Sequence, residues 1–396
     1  MSAHLSRRAF LCDLFEKGIP IAALSGLAGP SLLPRNAEAS PQDLVDGRHV
    51  FVAKEAMYYK KLDYRKIECV LCPKKCVIDD MERGFCGNRE NRGGTYYTLA
   101  HSNPCAMHKD PIEKKPLFHF LPTTDAFSIS TSGCNFVCKF CQNWQISQFR
   151  PEQTENLYLS PERVAREAER RRCTSIAYTY AEPVVFYEYM YDTAVEGKKR
   201  GLKSVMISNG YINPEPMREL CKHLDAVKID FKAYTEKFYR DTCVGTLQPV
   251  LDVLELLRDM GIWYEMVYLM VPGLNDSKQE LQEMCAWIME KLGPDVPLHF
   301  SRFHPQYMLK NLPPTPVRTI EMARDIGMKA GLNFVYIGNV PGHEGENTYC
   351  PNPKCKKLLI GRMGYIVYEN HTVGGKCRYC EREIPGVWDK QAWSSP

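Results

Sequence analysis

Thr131-Ser132-Gly133-Cys134-Asn135-Phe136-Val137-Cys138-Lys139-Phe140-Cys141 decides how the rest of this chain is read. Its cysteines stand in a Cys-x3-Cys-x2-Cys spacing. Iron–sulfur clusters normally take four thiolates, so three leave one iron of a four-iron cube open to a small molecule. Phe140, just before the last cysteine, suits packing against a flat ring beside such a cluster. A partial zinc site and three buried apolar thiols are the competing readings. Context favours the cluster: Ala126 to Thr131 alternates apolar and small polar residues as a short strand, and the cysteines follow in a loop containing Gly and Asn.

Working outward, strand-like and helix-like segments alternate from residue 126 to about 345. Strands are expected at Ser175 to Tyr180, Ser204 to Ser208, Ala226 to Phe231, Trp263 to Met270, Leu298 to Phe303 and Phe334 to Ile337. Helices are expected between them, near Pro214 to Leu224, Pro249 to Met260, Lys278 to Leu292 and Thr315 to Ala330. Ser160 and Pro161 open an earlier one, and Gly201, Gly261 and Gly331 end others. Repeated alternation implies right-handed parallel crossovers, hence an α/β fold with a partial barrel of (β/α)6 type. A doubly wound open sheet is the alternative, but the cysteine loop occupies the place of its phosphate-binding Gly-rich loop.

A chain of 396 residues, 44% hydrophobic and 25% charged, is long enough for one large domain with appendages, and long disorder is not expected. The net charge of +4 is small, and basic runs such as Glu169-Arg170-Arg171-Arg172 read as solvated faces. Of 17 cysteines, eleven fall into three compact groups with metal-ligand spacing. Such thiols must stay reduced while a cofactor assembles. The other six, Cys12, Cys105, Cys173, Cys221, Cys243 and Cys285, are isolated and read as buried apolar thiols.

Residues 1–39 read as a leader. Ser6-Arg7-Arg8-Ala9-Phe10-Leu11 is a twin-arginine pattern, Ile19 to Leu33 is a moderately apolar run, and Ala37-Glu38-Ala39 suits cleavage. The run is short and interrupted, so no stable membrane span is expected in the mature chain. Residues 40–125 form a Cys-rich segment in which Cys69, Cys72, Cys76 and Cys86 lie among Pro- and Gly-containing turns. Zinc is the default for that quartet and a second four-iron cluster the alternative. In residues 346–396, Cys350-x4-Cys355 and Cys377-x2-Cys380 bracket a hairpin expected over Leu358 to Glu369, turning at Gly364. Two pairs about twenty residues apart match a zinc ribbon.

The triad loop, its position after the first strand, and the alternation behind it resemble the radical S-adenosylmethionine (SAM) superfamily. That resemblance implies a [4Fe-4S] cluster on Cys134, Cys138 and Cys141, with SAM at the open iron. Strand ends are where parallel α/β folds gather functional groups. Glu182 and its turn suit the amino group of SAM, Ser208 and Asn209 the ribose hydroxyls, and Lys232 the methionine carboxylate, with Asp230 on the same strand face. Arg302 and His304 follow the sixth of the strands and suit contact with SAM or substrate, while Glu265 faces inward or outward according to register.

Longer motifs narrow the resemblance. Asp110-Pro111-Ile112-Glu113-Lys114-Lys115-Pro116-Leu117-Phe118-His119-Phe120, Gln142-Asn143-Trp144, Val271-Pro272-Gly273-Leu274-Asn275-Asp276 and Gly338-Asn339-Val340-Pro341-Gly342 resemble the radical SAM enzymes of the AmmeMemoRadiSam system, relatives of pyruvate formate-lyase activating enzymes. The likeness runs from Cys69 to Trp388. It implies SAM cleavage, an electron donor of flavodoxin or ferredoxin type, and association with Memo-like and AMME-domain proteins. The leader is an addition, and Cys350-x4-Cys355 is wider than the usual two-residue spacing. The substrate stays open. Activation of a glycyl-radical enzyme and a non-enzymatic exported electron-transfer protein are the alternatives. The leader points to export, whereas the need for SAM and low-potential electrons points to the cytoplasm.

Overall fold

The computed structural model describes residues 53–389, together with a backbone pairing of Leu44–Val45 with Arg48–His49. The leader expectations, twin-arginine pattern included, lie outside the described residues. One eight-stranded sheet organises the chain: β1 (Ala106–Pro111), β2 (Asp125–Ser130), β3 (Ser175–Tyr178), β4 (Lys203–Ser208), β5 (Ala226–Asp230), β6 (Trp263–Met270), β7 (Leu298–Arg302) and β8 (Val335–Gly338). Strand order in the sheet follows strand order in the chain. β2 to β8 are parallel, and β1 runs antiparallel along the edge.

Three expectations change. Because the order never reverses, there is no switch point, and the doubly wound alternative is overturned. The parallel strands number seven, one more than the (β/α)6 type allows, since the last of the expected strands pairs with β7 as β8. The sheet also begins before residue 126, for Ala106–Pro111 pairs with β2 along its whole length. Its sequence, Ala-Met-His-Lys-Asp-Pro, lacks the apolar run of the other strands and gives no comparable signal.

Six helices join the parallel strands: α1 (Pro161–Arg170), α2 (Tyr187–Lys199), α3 (Pro214–Cys221), α4 (Gln248–Met260), α5 (Lys278–Lys291) and α6 (Val317–Ala330). Ser160 accepts from the Arg163 amide to cap α1, and Ser277 accepts from Glu280 to cap α5. Gly261 and Gly331 end α4 and α6 at positive φ, where a side chain would be strained. Phe127, Ile129, Ile176, Met206 and Val227, alternating along their strands, join the core with Val164, Met190 and Leu254 of the helices. Ser128, Ser130, Lys228, Glu265 and His299 take the alternate positions, giving the other face of the sheet a buried polar lining, with the half-buried Asp230 at its edge.

The two Cys-rich segments dock at opposite ends of the strands. Short sheets of residues 54–98 reach the C-terminal ends, where Asn213 donates through its amide N–H to Leu71 and through Nδ2 to Val70. The C-terminal segment, with antiparallel strands Leu358–Met363 and Ile366–Asn370 around Gly364, lies beneath their beginnings. Arg362 there donates to the Phe118 carbonyl at 2.9 Å. Among the described residues no helix is long and apolar enough to cross a membrane.

Candidate functional site

The cysteine loop follows β2 directly, at the C-terminal ends of the parallel strands. Asn135 fixes it, donating to the Tyr211 carbonyl at 2.8 Å and accepting from Asn209 Nδ2 at 2.8 Å. The amides of Val137 and Lys139 donate to the carbonyls of Cys243 and Thr242. Gly133 has φ +89°, and a Cβ there would stand 2.7 Å from both the Cys86 carbonyl oxygen and Asn88 Nδ2. Only glycine lets the Cys-rich module approach the loop so closely. Asn143 donates to the Tyr180 carbonyl at 2.7 Å, and Trp144 stacks on Tyr307 with ring centroids 5.2 Å apart. Cys134 opens onto a cleft of about 760 Å³ that Cys86 and Arg83 also line.

Around the loop the structure gathers most of the residues predicted from strand ends. Glu182 is buried; it accepts from Ser208 Oγ at 2.6 Å, from the Asn209 amide at 2.9 Å and from the Val184 amide at 3.1 Å. Burial pushes its carboxyl up to about 7 against these three bonds. Asn209 Nδ2 comes within 4.0 Å of Cys134 Sγ. Glu182, Ser208 and Asn209 thus form one unit that shapes the turn beside the first cysteine.

Asp230 binds Lys228 on one side and Lys232 on the other, the latter at 3.5 Å. Burial alone would lower the Lys232 ammonium, but Asp230 and the cysteines facing it raise it. Lys232 also lies 6.0 Å from the centre of the buried Phe140 ring. Lys228 escaped the sequence reading, although Lys228, Asp230 and Lys232 alternate on one strand face. Cys243, expected to be isolated, is the main influence drawing the Cys138 thiol below its ordinary range against burial, with the Lys232 charge acting the same way. No local signal marks it, since it comes from a separate turn over a hundred residues later.

Three predicted residues do not join. His304 is exposed, and Arg302 is taken up by the Thr315 carbonyl at 2.8 Å. β7 ends at Arg302, so the chain has already left the strand at His304. Glu265 faces inward near the beginning of its strand, at the opposite end from the cysteine loop. It accepts from the amides of Phe118 and His119 at 3.0 and 2.8 Å and pairs with His299 at 2.8 Å. The charged 110–120 run is therefore part of the sheet's floor. Asp110 binds Lys115 at 2.5 Å, Lys114 at 2.9 Å and the Tyr180 hydroxyl, inside the lining. Burial brings the Lys115 ammonium down to about 8 despite Asp110.

The three cysteine groups differ in geometry. Cys350, Cys355, Cys377 and Cys380 have sulfurs all within 4.8 Å of one another, the one such group of potential metal ligands among the described residues. Cys350 to Cys380 is 3.6 Å and Cys355 to Cys377 is 3.8 Å. Zn–S bonds of about 2.3 Å put tetrahedral sulfurs about 3.8 Å apart, so this quartet fits one zinc ion. The wider Cys-x4-Cys spacing does not open it. The triad is too widely set for a single ion, as the ligands of a cube must be, and its residues fit a cluster. Cys69, Cys72, Cys76 and Cys86 are also too far apart for one ion, yet they line one small cavity.

A model of the radical SAM superfamily matches residues 128–288, from β2 into α5. An uncharacterized protein of Methanocaldococcus jannaschii is 50% identical over 333 residues, 84% of this chain and 98% of that protein. The pyruvate formate-lyase-activating enzyme of Clostridium pasteurianum is 22% identical over 155 residues, 38% of this chain and 64% of that protein. Among solved structures, a radical SAM methyltransferase from Sphaerobacter thermophilus aligns with a TM-score of 0.44 at 15% identity, over 57% of this chain and 71% of that one.

Proposed function

The chain belongs to the radical SAM superfamily, and from that premise we propose an enzyme that reductively cleaves SAM to start hydrogen abstraction from a polar substrate. The observation that carries it is the convergence of three widely set cysteines with Lys232, Asp230 and the Glu182–Asn209 unit at one end of the sheet. Cys134, Cys138 and Cys141 would hold a [4Fe-4S] cluster with one iron free. Bound there, the cluster supplies the electron that breaks the sulfonium carbon–sulfur bond of SAM and yields a 5′-deoxyadenosyl radical.

The protein's own share is binding, orientation and exclusion of water. Lys232, held charged by Asp230, suits the methionine carboxylate. The carbonyls and turn set by Glu182, Ser208 and Asn209 suit the amino group and ribose, and Phe140 gives the site an apolar wall. Below, Asp110, Lys115, Tyr180 and Lys228 offer charge and hydrogen bonds to a polar substrate rather than to a hydrocarbon.

The electron donor in this reading is a flavodoxin or ferredoxin. The resemblance of the 110–120, 271–276 and 338–342 motifs to AmmeMemoRadiSam enzymes makes Memo-like and AMME-domain proteins the partners to test first, with zinc as the ion of the C-terminal quartet. Likeness to an activating enzyme supports a second reading, formation of a glycyl radical in a partner protein. Anaerobic reconstitution, reduction and assay for 5′-deoxyadenosine test the main reading. Product is expected from the wild type and not from Cys138→Ala; no product from a wild type with an intact, reducible cluster overturns it.

A further inference from the structure

Cys69, Cys72, Cys76 and Cys86 default to zinc on spacing alone, and the fold argues against that assignment. The same molecule provides the standard: its C-terminal quartet closes to the 3.6–3.8 Å separations of a tetrahedral ion. No three sulfurs of the N-terminal quartet lie mutually within 4.8 Å, yet all four line the same cavity. They surround a volume instead of meeting at a point. A body carrying its own inorganic sulfide between metal and thiolate is what such an arrangement accommodates.

The lining supports that body. Leu71, Tyr96 and Val184 supply an apolar wall, and the backbone holds the ligand turns, the Cys69 amide donating to the Cys76 carbonyl at 2.9 Å. Arg89 also lines the cavity. It is 1% exposed, pairs with Glu188 at 2.6 Å, and its Nε has no hydrogen-bond partner among protein atoms. A buried donor left unpaired is costly, and N–H bonds to sulfur are among the features that set cluster potentials. A sulfur-rich anionic group in the cavity answers both the spacing and the orphaned donor. Asn135 of the triad loop lines the same cavity, so the two cysteine groups share a wall.

We propose that Cys69, Cys72, Cys76 and Cys86 hold a second four-iron cluster, ligated entirely by protein, beside the SAM-binding cluster. Unlike the first it has no open iron, and so it does not bind SAM.

Metal counting separates this from SAM chemistry. The full chain, reconstituted anaerobically with iron and sulfide, should contain about eight irons and eight sulfides, two four-iron cubes, with about one zinc. About four irons with about two zincs overturns the proposal. In the reduced wild type, added SAM should change the electron paramagnetic resonance signal of one cluster and leave a second four-iron signal untouched. A single signal that shifts entirely overturns it. Cys134→Ala/Cys138→Ala/Cys141→Ala should keep about four irons insensitive to SAM, and a folded variant with none overturns it. None of these measurements requires SAM to be cleaved, so a failure of the enzymatic reading would be visible separately.

Discussion

The two cysteine quartets use the same side chain to opposite ends. At the C-terminal quartet the sulfurs approach to 3.6 Å, and Cys350 and Cys377 sit within a small buried cluster with Leu359, Ile360 and Val367, which a zinc ion would staple. At the N-terminal quartet the sulfurs encircle a cavity, backed by a buried arginine and a wall shared with the triad loop. The geometry suits one site to a staple and the other to a container. Both lie against the same sheet, at opposite ends, so experiments on one provide the control for the other.

The largest effect should come from breaking the staple. Structural zinc contributes on the order of 10–16 kcal/mol in isolated finger peptides, and Cys377 is fully buried. Cys377→Ser should abolish zinc binding and make residues 346–389 sensitive to limited proteolysis, while iron content is retained. Cys72→Ser should do the reverse, keeping zinc and losing about half the iron. Metal analysis of the two variants side by side checks this, and parallel losses of both metals in each variant would collapse the distinction.

Next comes the charge behind the container. Arg89 and Glu188 are each 1% exposed, and removing one partner of such a pair costs about 3–5 kcal/mol because a buried charge is stranded. Arg89→Met should lower stability to denaturant by that order and weaken iron retention without touching zinc. Arg89→Met/Glu188→Met should recover most of the stability but not the iron. A loss below about 1 kcal/mol in the single variant, the range of exposed pairs, would mean that the arginine is not an essential charge partner there.

The third contrast is in pH dependence. His119, between the floor of the sheet and the C-terminal segment, donates through Nδ1 to the Pro385 carbonyl at 2.7 Å and accepts at Nε2 from the Tyr336 hydroxyl at 2.6 Å. Accepting at Nε2 calls for a neutral ring, whereas the Nδ1 bond to the carbonyl suits either form. Burial lowers the imidazole pKa to about 4; Glu265 and the Pro385 carbonyl favour the charged form, while Arg362 and His299 oppose it. With the folded pKa depressed from 6.5, the stabilisation is fully present above pH 6.5 and lost as pH falls toward 4. The loss amounts to roughly 3 kcal/mol. Denaturant titrations across that window should show this slope in the wild type and its loss in His119→Gln. An identical slope in both would assign the acid sensitivity to other groups.

What could be read in advance follows from the range of each interaction. The seven parallel strands were legible because an apolar run bounded by turn residues is a local pattern, and the triad because its three ligands lie within eight residues. β1 was not, since its Met107, His108 and Lys109 become a strand only by pairing with β2. The 110–120 run carried no visible role because its partners, Glu265, Tyr336 and Arg362, come from far along the chain. Cysteine spacing indicated which thiols belong together but not how far apart the fold would hold them. That distance separates one zinc ion from a cluster.

The smallest effect tests whether the two quartets are independent at the level of single hydrogen bonds. Asn352 Nδ2 donates to Cys380 Sγ at 3.4 Å, and the Arg382 amide is the larger influence holding that thiol down to about 7. Partners that orient and stabilise metal ligands typically account for 10–100-fold in affinity. Because Asn352 is only half-buried and the amide bond remains, Asn352→Ala should weaken zinc binding about tenfold, or about 1.4 kcal/mol. Competition with a zinc chelator measures this, and iron content should not change. Unchanged zinc affinity would show that backbone donors alone set this quartet. A change in iron would show that the two ends of the sheet are coupled, through the floor formed by Glu265, His119 and Arg362.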